Sequence, residues 1–424
     1  MLRKIASAVS LFSGTPGPAP AGHHNTQRAK EYTNLAGLLE KDGVPVSHAD
    51  CAGCAEPCAD SANDTGNGTI NEIGNAWDGK TYDEYVHDKY GDLGMLPSNL
   101  GVDWESDLAG SGGPPTGRVV VISTAKSNWP RDHTDDTETL SYQLHQYLQK
   151  VSTSKEPKRQ ANAKQPSTYV LPSAFPAPSE PLTKPVNSTP SLYSSSLVSQ
   201  SDDPQDQTAI IFPDWKVTCE IENSLDGAKG LWEGALAGTL GRAGRSLQDG
   251  GAGVERRRSW VLPYRAIVLV CSHKNRDKKC HIAAGLLRPA IRAVCEKNGI
   301  SVDETGKALT HLEGPPLEEV EGTDAEREAE VGRRMEEIEG VHGGEGGEIG
   351  LFDINHLGGH RYAGVMLILF PSGAYLSYGR VTPQEIPRVI EETILQGKIV
   401  PGLLRSGAGI LRRDATKQCG ILNW

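Results

Sequence analysis

At 424 residues, with 37% hydrophobic and 6% aromatic content beside 48 glycines and 27 prolines, the chain is too lean in core formers to be packed from end to end. Its net charge of −11 is carried by one region: residues 302–349 hold 15 Asp and Glu against 4 Lys and Arg, and 4 minus 15 is already −11. The near-neutral remainder has no basic stripe interleaved with aromatics and no apolar run of about 18 residues, which argues against a nucleic-acid surface and against a membrane span.

The chain opens with Arg3 and Lys4, several serines and no acidic residue before Glu31; Leu2, Ile5, Val9 and Phe12 fall at spacings of 3, 4 and 3. This basic, acid-poor, amphipathic pattern predicts a mitochondrial presequence, with residues 1–47 as presequence and linker. A cytoplasmic location is the alternative. Next comes CAGCAEPC, in which Cys51, Cys54 and Cys58 offer a redox dithiol or a metal site. It follows KDGVPVSHAD rather than a strand, so plain thiols fit equally well.

GRVVVIST then reads as a strand, DTETLSYQLHQYLQK as a helix and TAIIFPDW as a returning strand, which gives an N-terminal α/β domain over 48–215. It is interrupted by a Ser/Pro-rich insert at 152–208 and followed by a glycine-rich linker at 225–257, both expected to be disordered. The second domain spans 258–412. YRAIVLVC is a strand ending at Cys271, and CHIAAGLLRPAIRAVCEKNG is a helix stopped by Gly299 and open to a kink at Pro289. The acidic stretch 302–349 reads as a third disordered insert. GVMLILF and AYLSYGRV make a hairpin around PSG, and Thr382, Pro383 and Glu385 mark a capping box for a last helix. Strand, helix, hairpin, helix is the order of the C-terminal half of a thioredoxin-like fold. The expected class is α/β: a thioredoxin-like ferredoxin domain at the C-terminus, preceded by a related N-terminal domain that also opens with a strand and a helix.

Eight cysteines in so long a chain are too few for a disulfide scaffold and point to metal or redox use in a reducing compartment. Cys271 ends a strand and Cys280 begins a helix, eight residues apart in CSHKNRDKKC. HLGGH at 356–360 places two histidines four apart, but paired glycines inside a helix cost about 1 kcal/mol each, which predicts a glycine-bent loop instead. Alone, that pentapeptide also fits two surface histidines beside a turn. Together, the two thiolates and two imidazoles make a full ligand set for a 2Fe-2S cluster or for one tetrahedral zinc. His273 and His281 are weaker candidate ligands, and Cys219 and Cys295 read as core thiols. Lys274, Arg276, Lys278 and Lys279 form either a solvated edge or a positive rim that docks an acidic redox partner.

CSHKNRDKKC with HLGGH resembles the C-x8-C and H-x-G-G-H pair of the sucrase/ferredoxin-like family, the group of the fungal actin-patches-distal and altered-inheritance-of-mitochondria proteins. VISTAKSNWPRD, FPDWKV and GHRYAGVMLILFPSGAYLSYGRV extend the likeness over roughly 48–150, 205–300 and 350–412. LLRSGAG departs from it, because the family tends to carry Trp-Arg-Gly there. The resemblance implies a thioredoxin-like ferredoxin whose 2Fe-2S cluster is held by Cys271, Cys280, His356 and His360. The expected function is one-electron transfer, serving thiol redox maintenance; a zinc-stabilised interaction module is the alternative. Enzymatic activity is left open, and no pair of carboxylates stands out for hydrolysis.

Overall fold

The computed structural model describes residues 32, 34–41, 43–48, 77, 80–115, 117–153, 189–238, 240–249, 258–410 and 421–422. Residues 1–31, expected as a presequence, and Cys51, Cys54, Cys58 and Cys419 lie outside the described residues.

Thr81 and Glu84 exchange side-chain-to-backbone hydrogen bonds to cap helix Tyr82–Tyr90 (α1). Strand Val119–Ser123 (β1) is buried at every position, as a strand covered on both faces must be. Helix Leu140–Thr153 (α2) turns Leu140, Leu144 and Leu148 to the core at four-residue spacing. Ser191–Ser195 (β2) returns parallel to β1. On the other side of β1, Asp206–Phe212 (β3) and Lys216–Glu222 (β4) add antiparallel strands. Helix Leu225–Leu231 (α3) follows, and Arg258–Val261 (β5) closes this edge against β4.

The second half repeats that order. Ala266–Cys271 (β6), buried throughout, leads into helix Lys278–Lys297 (α4), which runs unbroken through Pro289. Ser301–Asp303 (β7) and helix Asp324–Glu336 (α5) precede Glu348–Ile354 (β8), which lies parallel to β6. Met366–Leu369 (β9) and Tyr375–Tyr378 (β10) form the expected hairpin antiparallel to β6, and Leu404–Ala408 (β11) pairs with β10. Strand order β2-β1-β3-β4-β5 in the first half thus matches β8-β6-β9-β10-β11 in the second. The halves meet edge to edge where β2 pairs antiparallel with β8 at Ser195 and Ile354, making one mixed sheet with helices packed on it. The α/β class is what the sequence led us to expect.

Five expectations need correction. The acidic stretch 302–349 is folded: Thr323 and Glu326 cap α5, whose Arg327, Val331 and Met335 recur every four residues on a buried face. Its acids line the opposite, solvated side, which is why composition alone suggested disorder. Much of the glycine-rich linker is also built in. The buried Arg118 guanidinium binds Asp214 at 3.0 Å and donates to the carbonyls of Leu236, Ala237 and Leu240, pinning the segment after α3 to the sheet. Residues 34–47 are not linker either, since Ala36, Leu39, Val44 and Val46 join the main core and Val46 bridges Ile399. Within the Ser/Pro-rich stretch, 154–188 lies outside the described residues, but β2 is a full sheet member. The expected capping box at Thr382 does not form; Pro383–Glu385 is a 3-10 turn without a side-chain cap.

Candidate metal centre

Cys271 is the last residue of β6, its N–H bonded to the carbonyl of Val365 at 3.0 Å and its side chain 1% exposed. The chain then folds back, with the N–H of Asp277 on the carbonyl of His273, and the Asp277 carboxylate caps α4 by accepting from the N–H of Lys279 at 2.7 Å. Fixing the helix start there puts Cys280 on its first turn, fully buried. From the other side, β8 delivers Asn355 and the loop His356–His360. Gly358 and Gly359 take φ of +75° and +66°, a region that penalises any Cβ, and this is why the histidines are separated by two glycines. The N–H of Tyr362 closes the turn onto the Gly359 carbonyl at 2.8 Å.

The two sulfurs and one ring nitrogen of His356 lie within 4.8 Å of one another, with Cys271 Sγ 3.8 Å from His356 Nδ1. His360 stands beside them rather than among them: its ring is 5.7 Å from that of His356 and on the exposed side of the loop. A hydrogen bond from Cys280 stabilises the Cys271 thiolate, overcoming the cost of burial with help from His356, so Cys271 titrates well below the usual thiol range. Cys280, which keeps the proton, is pushed up by that same bond and by burial. A metal ion takes the place of such a proton. Two buried sulfurs with an imidazole nitrogen, and no carboxylate in the group, form a donor set suited to zinc or iron.

The other sequence candidates lie elsewhere. His273 is buried with its Nε2 2.9 Å from the Trp129 carbonyl, and its ring stands edge-on to Trp129. His281 is exposed on α4. Cys219 and Cys295 pack in the core, their thiols pushed up to about 12 by burial, and are not metal-ready. Of the basic loop, Lys274, Arg276 and Lys278 are exposed, while Lys279 donates to the Gly101 carbonyl.

Sequence reading missed how far the first half builds this site. Ser272 Oγ donates to the carbonyl of Ser127, the Asn275 N–H to Asn128 Oδ1, and the Asn275 amide to the Trp129 carbonyl. SNWPRD, noted only for its family likeness, is therefore the cradle of the cysteine loop. The N–H of Ser194 similarly holds the Asn355 side chain at 2.9 Å. No helix among the described residues is long and apolar enough to cross a membrane.

Comparison with known proteins locates the similarity on this architecture. The profile of a family described as sucrase/ferredoxin-like matches residues 110–406, from before β1 into β11. Altered inheritance of mitochondria protein 32 of Clavispora lusitaniae is 31% identical over 34% of this chain and 35% of its own length. Actin patches distal protein 1 of Saccharomyces cerevisiae is 26% identical over 32% of this chain and 31% of its own. The matched stretch thus spans about a third of these relatives. No solved structure matches.

Proposed function

The chain belongs to the sucrase/ferredoxin-like family, and we propose that it is a one-electron carrier whose 2Fe-2S cluster is held by Cys271, Cys280, His356 and His360. The observation that carries this reading is the buried convergence of two unlinked thiols and an imidazole, from a strand end, a helix start and a glycine-bent loop. When bound, such a cluster supplies one-electron chemistry. The protein's part is to hold the sulfurs dry, to brace both loops from the first half, and to present the histidine side to solvent. The strand order of each half, two parallel strands followed across the sheet by three antiparallel ones, supports reading both as thioredoxin-like units. Exposed Lys274, Arg276 and Lys278 beside the site fit a rim for an acidic redox partner. The name of one relative, altered inheritance of mitochondria protein 32, and the amphipathic basic pattern of residues 1–30 support a mitochondrial location.

A tetrahedral zinc site is the second reading, favoured by the same compact three-atom group. Anaerobic purification separates the two. The expected protein is brown, with iron and acid-labile sulfide in equal amounts; a colourless protein with stoichiometric zinc would overturn the electron-carrier reading.

A further inference from the structure

Arg405 carries a charge into the core of the second half. Strand β11 pairs with β10 at Leu404 and Tyr378 and again at Ser406 and Ser377, so Arg405 is the extra residue of a β-bulge. A bulge re-aims the side chain it carries, and here the side chain is 2% exposed. Glycines make room for it. A Cβ on Gly359 would lie 2.5 Å from Arg405 Nη2, and one on Gly379 would lie 2.7 Å from its Cδ. Because Gly359 sits between the two histidines, the guanidinium lies against the backbone of the ligand loop.

Its hydrogen bonds are long and to neutral groups: Ser111 Oγ at 3.4 Å, Ser377 Oγ at 3.3 Å and the Ser111 carbonyl at 3.3 Å. Among the described residues, the ionisable groups that act on it include Tyr375, Tyr193, Tyr362, Cys271 and Cys280, and none of its hydrogen bonds goes to a carboxylate. Burial keeps Tyr375 protonated, and Tyr362 donates its hydroxyl to the Asp107 carbonyl at 2.6 Å. That leaves the sulfurs as the opposing charge. A guanidinium taken out of water with only neutral acceptors is costly to keep.

We propose that Arg405 is the buried counter-charge of the metal site, a positioning residue that stabilises the added negative charge of the reduced cluster and so raises its reduction potential. The inference rests on the 2Fe-2S reading. Two ferric ions, two sulfides, two thiolates and two neutral imidazoles sum to zero charge, and one added electron leaves a single negative charge for Arg405 to face.

The test is a redox titration of the full-length protein, followed by electron paramagnetic resonance. Dithionite supplies one electron per cluster, reducing one ferric ion to ferrous while being oxidised to sulfite. Arg405→Met and Arg405→Gln remove the charge, and Gln keeps a hydrogen-bonding head in case the Met variant fails to fold; Arg405→Lys keeps the charge. The expected result is a tenfold or greater loss of electron affinity in the Gln and Met variants, a fall of about 59 mV, with most of the potential retained in Lys. Iron-loaded wild type and Gln variant agreeing within about twofold in electron affinity would overturn the role of Arg405 alone, as would a Lys variant shifted as far as Gln. Wild type without iron would overturn the cluster reading and this inference with it.

Discussion

The side-chain oxygen of Asn355 accepts the backbone N–H of Ser194 at 2.9 Å, tying the residue before His356 to a strand of the other half. Behind that strand, the Ser194 hydroxyl is 3.0 Å from His133 Nδ1 and 2.7 Å from Ser141 Oγ. Burial pulls His133 down to about 4, against the opposing charge of Asp132. Its folded pKa lies below the unfolded value, so the stability it contributes is complete above pH 6.5 and is lost as pH falls toward 4. The full cost of protonation is about 3 kcal/mol. Replacing His133 with Gln is expected to flatten urea stability between pH 7 and 4.5; an unaltered pH dependence would show that His133 is not responsible.

Cys271→Ser and Cys280→Ser are each expected to abolish metal retention, because a hydroxyl is a far weaker ligand than a thiolate. Cys295→Ser, buried 0% exposed in the core, should keep the metal at some cost in stability. Iron content and visible absorption decide the matter, and a fully loaded Cys280→Ser protein would sink the ligand set.

Histidine ligation predicts a pH-dependent potential. A metal-bound neutral imidazole keeps a ring proton that thiolate lacks, so proton uptake accompanies reduction. The potential is expected well above the roughly −400 mV of all-cysteine plant-type clusters and to fall by up to about 59 mV per pH unit. His356→Cys and His360→Cys should lower the potential and flatten that slope. A potential constant from about pH 6 to 10 would exclude both imidazoles.

The two glycines of the ligand loop should respond differently to alanine. Gly358 and Gly359 both have positive φ, and each pays roughly 1 kcal/mol for a Cβ there. At Gly358 the new methyl meets nothing within 4 Å, whereas at Gly359 it lies 2.5 Å from Arg405 Nη2. Gly359→Ala should therefore lower thermal stability and cobalt(II) affinity further than Gly358→Ala; equal effects would mean that the Arg405 contact is easily relieved.

Val331, fully buried on α5, tests whether the acidic segment belongs to the core. Val331→Ala is expected to cost about 2 kcal/mol in urea unfolding. Exposed Glu337→Ala should stay within about 0.5 kcal/mol. A neutral Val331→Ala would return this helix to the surface.

What could be read from the sequence was local. The Cys271 strand, the Cys280 helix, the PSG hairpin and the glycine bend each follow from a few adjacent residues, and the structure places them as expected. Composition misled where charge outweighed pattern: Thr323-x-x-Glu326 is a capping box like Thr81-x-x-Glu84, and both form, yet the acids around α5 hid the buried stripe. The box read at Thr382 fails because the chain enters there as a 3-10 turn. Arg405 and Asn355 left no local signal, because a bulge and a cross-half hydrogen bond exist only once strands are paired.

The antiparallel meeting of β2 and β8 has a bearing on ancestry and handling alike. These are corresponding strands of the two repeated halves, and joining like to like across an antiparallel pair is the geometry by which two identical subunits form a symmetric dimer. The chain thus has the form of two like units joined edge to edge in one polypeptide, with the candidate ligands in one and the bracing loops in the other. Cutting it in two would bare the end of β8 at Ile354, beyond its pairing with β7, inviting the C-terminal half to pair there with its own copies.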